Sequence, residues 1–288
     1  MAGLSVERVV RYFPVPVGLT SATAADDDAP VPARPASTVM VVRDAATGEG
    51  GVEVFMLRRS SSMAFAPNRL VFPGGGVDPR DGDDDLPWAG PSPADWAEQL
   101  GAHDEAEARE LVVAAAREVF EECGVLLAGP DDASLVGDVS GADWHAERDR
   151  LASHEQAFSE MLVRHGYVLR TDLLRPWAHW VTPEFERRRY DTRFFLARLP
   201  EGQIPDDRTS EADTADWVSP ADLLAEAEAG SAALLPPTIV CLESLAAAAD
   251  SGDLLAAAPP MARVMPTLEP HGDGARLRME LPVAGRTS

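Results

Sequence analysis

The sequence contains no lysine, only two cysteines and few aromatic residues. All 25 basic residues are arginine, and aromatic residues make up 6% of the chain. Two cysteines, Cys123 and Cys241, are too few for a disulfide scaffold or a cysteine-rich zinc site. No run of 18 apolar residues occurs, so we expect no membrane-spanning helix. These absences favour a soluble protein of the cytoplasm.

Positive charge is scarce relative to negative charge. The chain has 48 acidic and 25 basic residues, which gives a formal net charge of −23. A nucleic-acid or anionic-membrane partner needs a positive surface, so the composition argues against both. With 45% hydrophobic residues over 288 positions, the chain is long and apolar enough for an elaborated domain with a sizeable core.

The pattern of apolar residues predicts a mixed α/β (α+β) fold. STVMVVRD and VEVFMLRR have the character of a two-stranded hairpin, and RLVFPGGG that of a third strand ending in a glycine-rich loop. Residues 103–123 have a helical pattern, which Gly124 ends. PWAHWVTP, YDTRFFLARL and DWVSP follow as strands, with PADLLAEAEAG and PPTIVCLESLAAAAD as helices. The mixture predicts helices on both faces of a mixed sheet.

We expect one principal domain with two inserts and a short extension at each end. The predicted segments are a flexible arm at 1–34, a domain at 35–250, inserts at about 77–103 and 129–170, and an extension with a hairpin at 251–288.

The second insert contains an apolar stripe. Trp144, Leu151, Phe158 and Leu162 recur at helical spacing, which predicts one amphipathic helix over residues 141–166. Such a stripe needs a partner. We therefore expect the two inserts to form a cap beside the functional site or a contact in a homodimer.

The most informative segment is REVFEECGV, residues 117–125. On a helix Glu118, Glu121 and Glu122 fall within about 100° of one another, so three carboxylates share one face. Clustered carboxylates raise one another's pKa unless a cation lies among them, and hard oxygen ligands suit Mg²⁺ or Mn²⁺. The alternative interpretation is an ordinary solvated acidic face.

REVFEECGV resembles the second half of the Nudix hydrolase signature, G-x5-E-x7-R-E-U-x-E-E-x-G-U, in which U is apolar. FPGGG resembles the strand-to-loop entry of that family, with Gly75 as the first glycine of the signature. The spacing differs, because Arg117 lies 42 positions after Gly75 where the arginine of the family lies 14 positions after its glycine. The position eight before Arg117 holds Arg109 instead of the expected glutamate. Neither Glu107 nor Glu110 can be assigned to that role.

A long insert followed by an intact R-E-U-x-E-E is similar to the coenzyme A diphosphatase-like branch of the family. The resemblance extends to HWVTPEF, RRYDTRFF and LLPPT, so it covers roughly residues 35–250. It implies a Nudix-type α/β/α sandwich. It also implies metal-dependent hydrolysis of a nucleoside diphosphate linked to another moiety, with coenzyme A or an acyl-coenzyme A as the leading substrate.

The resemblance also implies a role for each residue of the motif. Glu118, Glu121 and Glu122 would ligate Mg²⁺ or Mn²⁺ together with the Gly74 carbonyl, and Arg117 would hold the glutamates in place. Many members of the family use a further glutamate from a later loop as base or ligand. Glu211 is the candidate here, with an ordinary exposed acid as the alternative.

Five residues are candidates for substrate binding: Arg59, Phe72, Gly74, Gly75 and Arg189. The coenzyme A signature L-L-T-x-R-S-x3-R-x3-G-x3-F-P-G-G matches at Arg59 and Ser60 and departs at Ala64 and Asn68. Arg189 belongs to the densest basic patch of the chain, which consists of Arg187, Arg188, Arg189 and Arg193. That patch either receives an anionic substrate or pairs with surface acids.

Other substrates and a silent protein are the competing hypotheses. The ADP-ribose branch has a proline where this chain has Ser140, and the SQPWPFPxS array of NADH pyrophosphatases is absent. The extra residues of the second insert blur both comparisons. A catalytically silent Nudix-fold module would be expected to lose residues of R-E-U-x-E-E, and here none is lost.

Overall fold

The computed structural model describes residues 7–16, 29–46, 50–60, 69–209 and 212–283. Its strands are β1 (Arg8–Pro14), β2 (Arg34–Asp44), β3 (Val52–Arg59), β4 (Leu70–Val71), β5 (Gly74–Gly76), β6 (Trp88–Ala89), β7 (Ala128–Gly129), β8 (Val168–Arg170), β9 (Leu174–Val181), β10 (Tyr190–Arg198), β11 (Ala212–Val218), β12 (Arg263–Val264), β13 (Thr267–His271) and β14 (Gly274–Pro282). Its helices are α1 (Pro93–Leu100), α2 (Glu105–Cys123), α3 (Ala142–Ala152), α4 (Phe158–His165), α5 (Pro220–Glu228), α6 (Pro236–Ala246) and α7 (Ser251–Ala256), with short 3-10 turns at Pro79–Gly82 and Thr171–Leu173.

The largest sheet is mixed. Its strand order is β11-β3-β2-β10-β9-β12, and β4 and β5 pair with β3 and β2. Strands β2 and β10 run parallel, as do β9 and β12, whereas β2 and β3 form the predicted antiparallel hairpin.

Alternation along β2 places apolar side chains on both faces of this sheet. Val39 and Val41 pack into one core with α2 and the inserts, and Met40 and Val42 pack into a second core with α6 and the terminal strands. Side chains of a strand point alternately to opposite faces, so a strand that is apolar at successive positions is buried on both. The predicted α/β/α sandwich is confirmed.

Helix α2 is fixed at both ends and at its middle. The Asp104 side chain accepts a hydrogen bond from the backbone N–H of Glu107 at 2.9 Å, and Gly124 ends the helix at φ +69°. Ser37 on β2 donates a buried hydrogen bond to the Leu111 carbonyl at 2.6 Å. Because β5 also pairs with β2, one strand positions both the glycine-rich loop and the acidic helix.

The second insert differs from the prediction of a single helix over residues 141–166. It forms two helices, α3 and α4, which fold back on each other around the buried Glu147 carboxylate. Gln156 donates to that carboxylate at 2.7 Å and Arg164 at 2.5 Å. The predicted stripe nevertheless faces one core. Periodicity did not reveal the break, because both helices keep the stripe in contact with that core.

The two inserts are joined to each other. Trp88 of β6 is aligned with Leu169 of β8 in a parallel pair, and β7 completes this small sheet. The first insert thereby rests on residues that follow the second insert's helices.

The ends of the chain also contribute strands. Arg8–Pro14 is not a loose arm, since it pairs along its length with β14 and Phe13 is buried in the second core. Residues 1–6 and 17–28 of the predicted arm lie outside the described residues. Strands β13 and β14 form a hairpin, and β12 joins the main sheet. In the part of the chain that the structure describes, no helix is long and apolar enough to cross a membrane.

We predict that Gly124→Ala destabilises the protein more than Gly101→Ala. Both glycines end helices with positive φ, +69° and +58°, so each alanine carries a backbone cost of about 1–2 kcal/mol. A Cβ at Gly101 meets no atom within 4 Å, but one at Gly124 lies 2.9 Å from Nη1 of Arg148. Urea unfolding should therefore show a larger loss of unfolding free energy for Gly124→Ala than for Gly101→Ala. Equal losses would show that Arg148 moves aside freely.

Candidate active site

The acidic face of α2 lies against the glycine-rich loop. The backbone N–H of Gly74 donates a hydrogen bond to Oε2 of Glu122 at 2.7 Å. A Cβ built on Gly75 would lie 2.5 Å from Oε1 of Glu118, and one on Gly74 would lie 2.4 Å from the Ser37 carbonyl oxygen. Glycine at both positions therefore lets the loop backbone touch a carboxylate on one side and β2 on the other.

Arg117 is buried at the centre of this arrangement. It donates to Oε1 of Glu118 at 2.8 Å, to Oε1 of Glu121 at 3.3 Å and to the Gly76 carbonyl at 2.9 Å. Burial alone would lower the pKa of Arg117, but the hydrogen bonds that it donates to Asp81 and the charges of the neighbouring carboxylates outweigh burial and raise it. The guanidinium therefore stays charged and holds the acidic face against the loop.

Asp81 completes the group, and the sequence analysis missed it. Its carboxylate is 2% exposed and accepts two hydrogen bonds from Arg117, at 2.8 and 2.9 Å. Asp81 lies six residues after Gly75, which is where the signature G-x5-E has its glutamate when counted forward from the glycine. The 28 extra residues therefore fall between Asp81 and Arg117. Counting backward from Arg117 pointed to the wrong position.

The residues near that backward count lie on α2 and contact the first insert. Arg109 forms an ion pair with Asp84 at 3.3 Å and lies over the Trp88 ring at 5.2 Å from its centroid. Glu107 accepts a hydrogen bond from the backbone N–H of His103 at 2.5 Å. Neither Arg109 nor Glu107 takes the place of the signature's first glutamate.

The carboxylates of the acidic face are partnered. Among the described residues, no group of three or more His, Cys, Asp or Glu side chains converges closely enough to hold a metal ion. Arg117 binds Glu118 and Glu121, and the Gly74 N–H binds Glu122, so the three carboxylates are held apart.

The chemistry of the donor set nevertheless fits a hard divalent cation. Glu118, Glu121 and Glu122 supply carboxylate oxygens, and three acids, Asp81, Glu118 and Glu121, pair with the one guanidinium of Arg117. Burial raises the pKa of Glu121, and the nearby Arg117 opposes that rise without cancelling it. The site thus has buried negative charge in excess, which a divalent cation would compensate.

A cavity of about 1020 Å³ opens beside these glutamates. The segment between Gly75 and Asp81 contributes Asp78 and Pro79 to its wall, and the second insert contributes Arg148, Asp149 and His154. An apolar part of the wall comes from the sheet, from α6 and from the terminal strands. It includes Trp180, Phe194, Leu235, Pro236, Pro266 and Leu277.

The predicted substrate-binding residues divide into two groups. Arg59, Phe72, Gly74 and Gly75 line the cavity. Arg189 does not, because it is buried and donates to the carbonyls of Thr182 and Val31, at 3.1 and 2.6 Å. Its neighbour in the basic patch, Arg188, lines the cavity instead.

Arg193 of the basic patch and the candidate base Glu211 are not placed on the cavity wall by the described residues. Arg193 is buried and donates to the Leu100 carbonyl at 3.1 Å and to His179, so the basic patch is not one surface. Glu211 lies outside the described residues.

Comparisons with known proteins agree with this geometry. Residues 104–245 match the family model described as the NUDT19 Nudix domain. The chain is 30% identical over 206 residues to a Caenorhabditis elegans protein named "Putative nudix hydrolase 7", covering 68% of this chain and 57% of that protein. It is 28% identical over 244 residues to the human acyl-coenzyme A diphosphatase NUDT19, covering 71% of this chain and 63% of that protein.

A solved structure is similar over most of its own length. The crystal structure of a NUDIX hydrolase from Alicyclobacillus acidocaldarius superposes with a TM-score of 0.65 at 29% identity, covering 80% of this chain and 99% of the other. By contrast, the matches span about three fifths of the length of the curated relatives.

We predict that Asp81→Ala lowers the free energy of unfolding by about 3–5 kcal/mol, because it leaves the buried Arg117 without its two-fold partner. Asp84→Ala is the matched control. The Asp84 side chain is 92% exposed in its pair with Arg109, so its loss should change stability by less than about 1 kcal/mol. Chemical denaturation measures both. A value for Asp81→Ala close to the control would contradict the central role of the Asp81–Arg117 pair.

Proposed function

The chain belongs to the Nudix hydrolase family and resembles its acyl-coenzyme A diphosphatase branch, and from this premise we propose that it hydrolyses the diphosphate bond of a nucleoside diphosphate linked to a second moiety. The observation that carries the proposal is the placement of Glu118, Glu121 and Glu122. They lie against the glycine-rich loop on the wall of the large cavity.

The proposed site uses a divalent cation, Mg²⁺ or Mn²⁺. Held by Glu118, Glu121 and Glu122, it would supply positive charge to the diphosphate oxygens and lower the pKa of the attacking water. Arg117 orients Glu118 and Glu121 through charge-assisted hydrogen bonds, and the Gly74 N–H orients Glu122.

In the proposed reaction the oxygen of water forms a bond to one phosphorus atom of the diphosphate. The bond from that phosphorus to the bridging oxygen breaks, and the bridging oxygen leaves with the other phosphate. The water gives up a proton to a base, for which Glu211 remains the candidate in sequence, and the products are two phosphate monoesters.

Coenzyme A and its acyl esters are the substrates we propose. Arg59, which matches an arginine of the partly matched coenzyme A signature, lines the cavity. The apolar wall formed by Trp180, Phe194 and Leu277 suits the pantetheine arm and an attached acyl group. The name of the human relative, acyl-coenzyme A diphosphatase, supports the same choice.

A cationic contact for the 3′-phosphate of coenzyme A is available on this wall. Arg188 is exposed to the cavity and, among the described residues, forms no hydrogen bond or ion pair. We propose Arg188 for this contact in place of Arg189, whose guanidinium is occupied by backbone carbonyls. The net charge of −23 makes a nucleic-acid partner unfavourable, so a small nucleotide is the proposed ligand.

We predict that Glu121→Gln lowers turnover by at least about 100-fold, the scale expected when a contribution to metal-assisted catalysis is lost. Stability should not fall, because burial already disfavours the charged form of Glu121. The measurement is product release from coenzyme A, NADH, ADP-ribose and dinucleoside polyphosphates with Mg²⁺ or Mn²⁺, identified by mass. Glu105→Gln, an exposed change on the same helix, is the control. Normal turnover by Glu121→Gln would remove the metal-site proposal.

We predict that Arg188→Ala raises the KM for coenzyme A by about tenfold, consistent with one hydrogen bond to a charged group. Dephospho-coenzyme A lacks the 3′-phosphate and should be affected much less. Arg187→Ala is the matched control, since Arg187 is an exposed neighbour that is not part of the cavity wall. Equal effects of Arg188→Ala on both substrates would assign this residue to the diphosphate instead.

A further inference from the structure

His154 has an unusual backbone conformation at the rim of the cavity. It follows α3, and among the non-glycine residues that the structure describes it alone has a positive φ, +59°. The ends of α1, α2 and α4 also reach the left-handed region, and there the chain has Gly101, Gly124 and Gly166. A histidine at such a position is strained where glycine would not be. Strained residues of this kind cluster at active sites and ligand-binding sites.

The segment between Gly75 and Asp81 holds His154 in place. Arg80 donates to the His154 carbonyl at 3.1 Å and to the Gln156 carbonyl at 3.3 Å, and its Nη2 lies 2.7 Å from Nδ1 of His154. Arg80 is fixed in turn by Asp78, at 2.7 and 2.9 Å. The ring orientation is therefore determined by two residues that belong to another segment of the chain.

This contact assigns the tautomer of His154. A guanidinium can only donate hydrogen bonds, so Nδ1 accepts and the proton of the neutral ring lies on Nε2. Asp78 is farther from Nδ1, at 3.4 Å, and its Oδ2 already accepts from Arg80. The Nε2–H is thus a donor on the opposite side of the ring, and the side chain is 67% exposed.

The other polar residues that the second insert places on the cavity wall are already engaged. Arg148 donates to Asp206 at 2.7 Å, and Asp149 accepts from Arg208 at 3.0 Å. His154 lines the same cavity as Glu121. Its Nε2–H is the donor that this insert offers to a ligand within the described residues.

We propose that His154 binds the substrate by donating a hydrogen bond from Nε2–H to an anionic oxygen of the nucleoside diphosphate. The inference rests on the proposed function, and it adds a binding residue from outside the Nudix signature. It also gives the second insert a role in the site, because the insert carries this donor and Arg80, in the segment between Gly75 and Asp81, orients it.

The test compares His154→Gly with His154→Asn. Glycine removes the donor and relieves the backbone strain, so kcat/KM for coenzyme A should fall by about 10- to 100-fold. The melting temperature should stay the same or rise by up to about 4 °C. Asparagine tolerates the left-handed conformation and keeps an amide donor, so its kcat/KM should exceed that of the glycine variant at least about threefold. His103→Asn, a change at a histidine whose side chain is 90% exposed, is the control.

Three results would overturn the proposal: wild-type kcat/KM in His154→Gly, equal values for the two variants, or a loss of activity accompanied by a lower melting temperature. Titration with ADP and Mn²⁺ separates this proposal from the proposed function. If the wild type binds ADP but hydrolyses no substrate, the hydrolase proposal fails. The role of His154 is still tested in that case, because the proposal requires a higher Kd for ADP in His154→Gly than in the wild type. If the wild type does not bind ADP, both fail.

Discussion

The Arg117 guanidinium is the group on which the rest of the site depends. It connects Asp81, which directly precedes the long insertion, to the glycine-rich loop at Gly76 and to the acidic face at Glu118 and Glu121. Burial of a cation is unfavourable unless its hydrogen bonds and charge are compensated, and here both are. Because the pKa of Arg117 is raised, its charge persists and continues to hold the excess of carboxylates in one place.

This constraint explains where the chain can accept additional residues. The spacing of six residues from Gly75 to Asp81 is kept, and the long insertion begins after it. The Asp81–Arg117 ion pair therefore holds the segment from Gly75 to Asp81 against α2, whatever the length of chain between Asp81 and Arg117. The inserted residues then pair with those of the second insert, and Arg80, next to Asp81, extends the same network to His154.

The distribution of arginine shows how an acidic chain uses a small number of cations. Arg189 and Arg193 are buried and bind backbone carbonyls, and Arg148 binds Asp206, so these residues stabilise loops and strands. Arg188 remains directed to the cavity. Neighbouring basic residues therefore point in different directions, because side chains alternate along the strand and in the turn before it. The run of arginines does not form one anion-binding surface.

The sequence by itself determined the local elements of the site. The helical period placed Glu118, Glu121 and Glu122 on one face, and Gly124 marked the end of α2, because both features depend on neighbouring residues alone. The mixture of predicted strands and helices likewise predicted a sheet covered on both faces, and the apolar residues of β2 are buried on both. The family resemblance added the roles that these residues are proposed to have.

Only the tertiary structure decided which distant residues meet. Asp81 reaches Arg117 across 36 positions and Arg80 reaches His154 across 74, and no local period records such contacts. The break between α3 and α4 depends on the buried Glu147, and the strand Arg8–Pro14 depends on a partner at the other end of the chain. Each of these features depends on burial and pairing between segments that are far apart in sequence. Local sequence patterns therefore could not predict them.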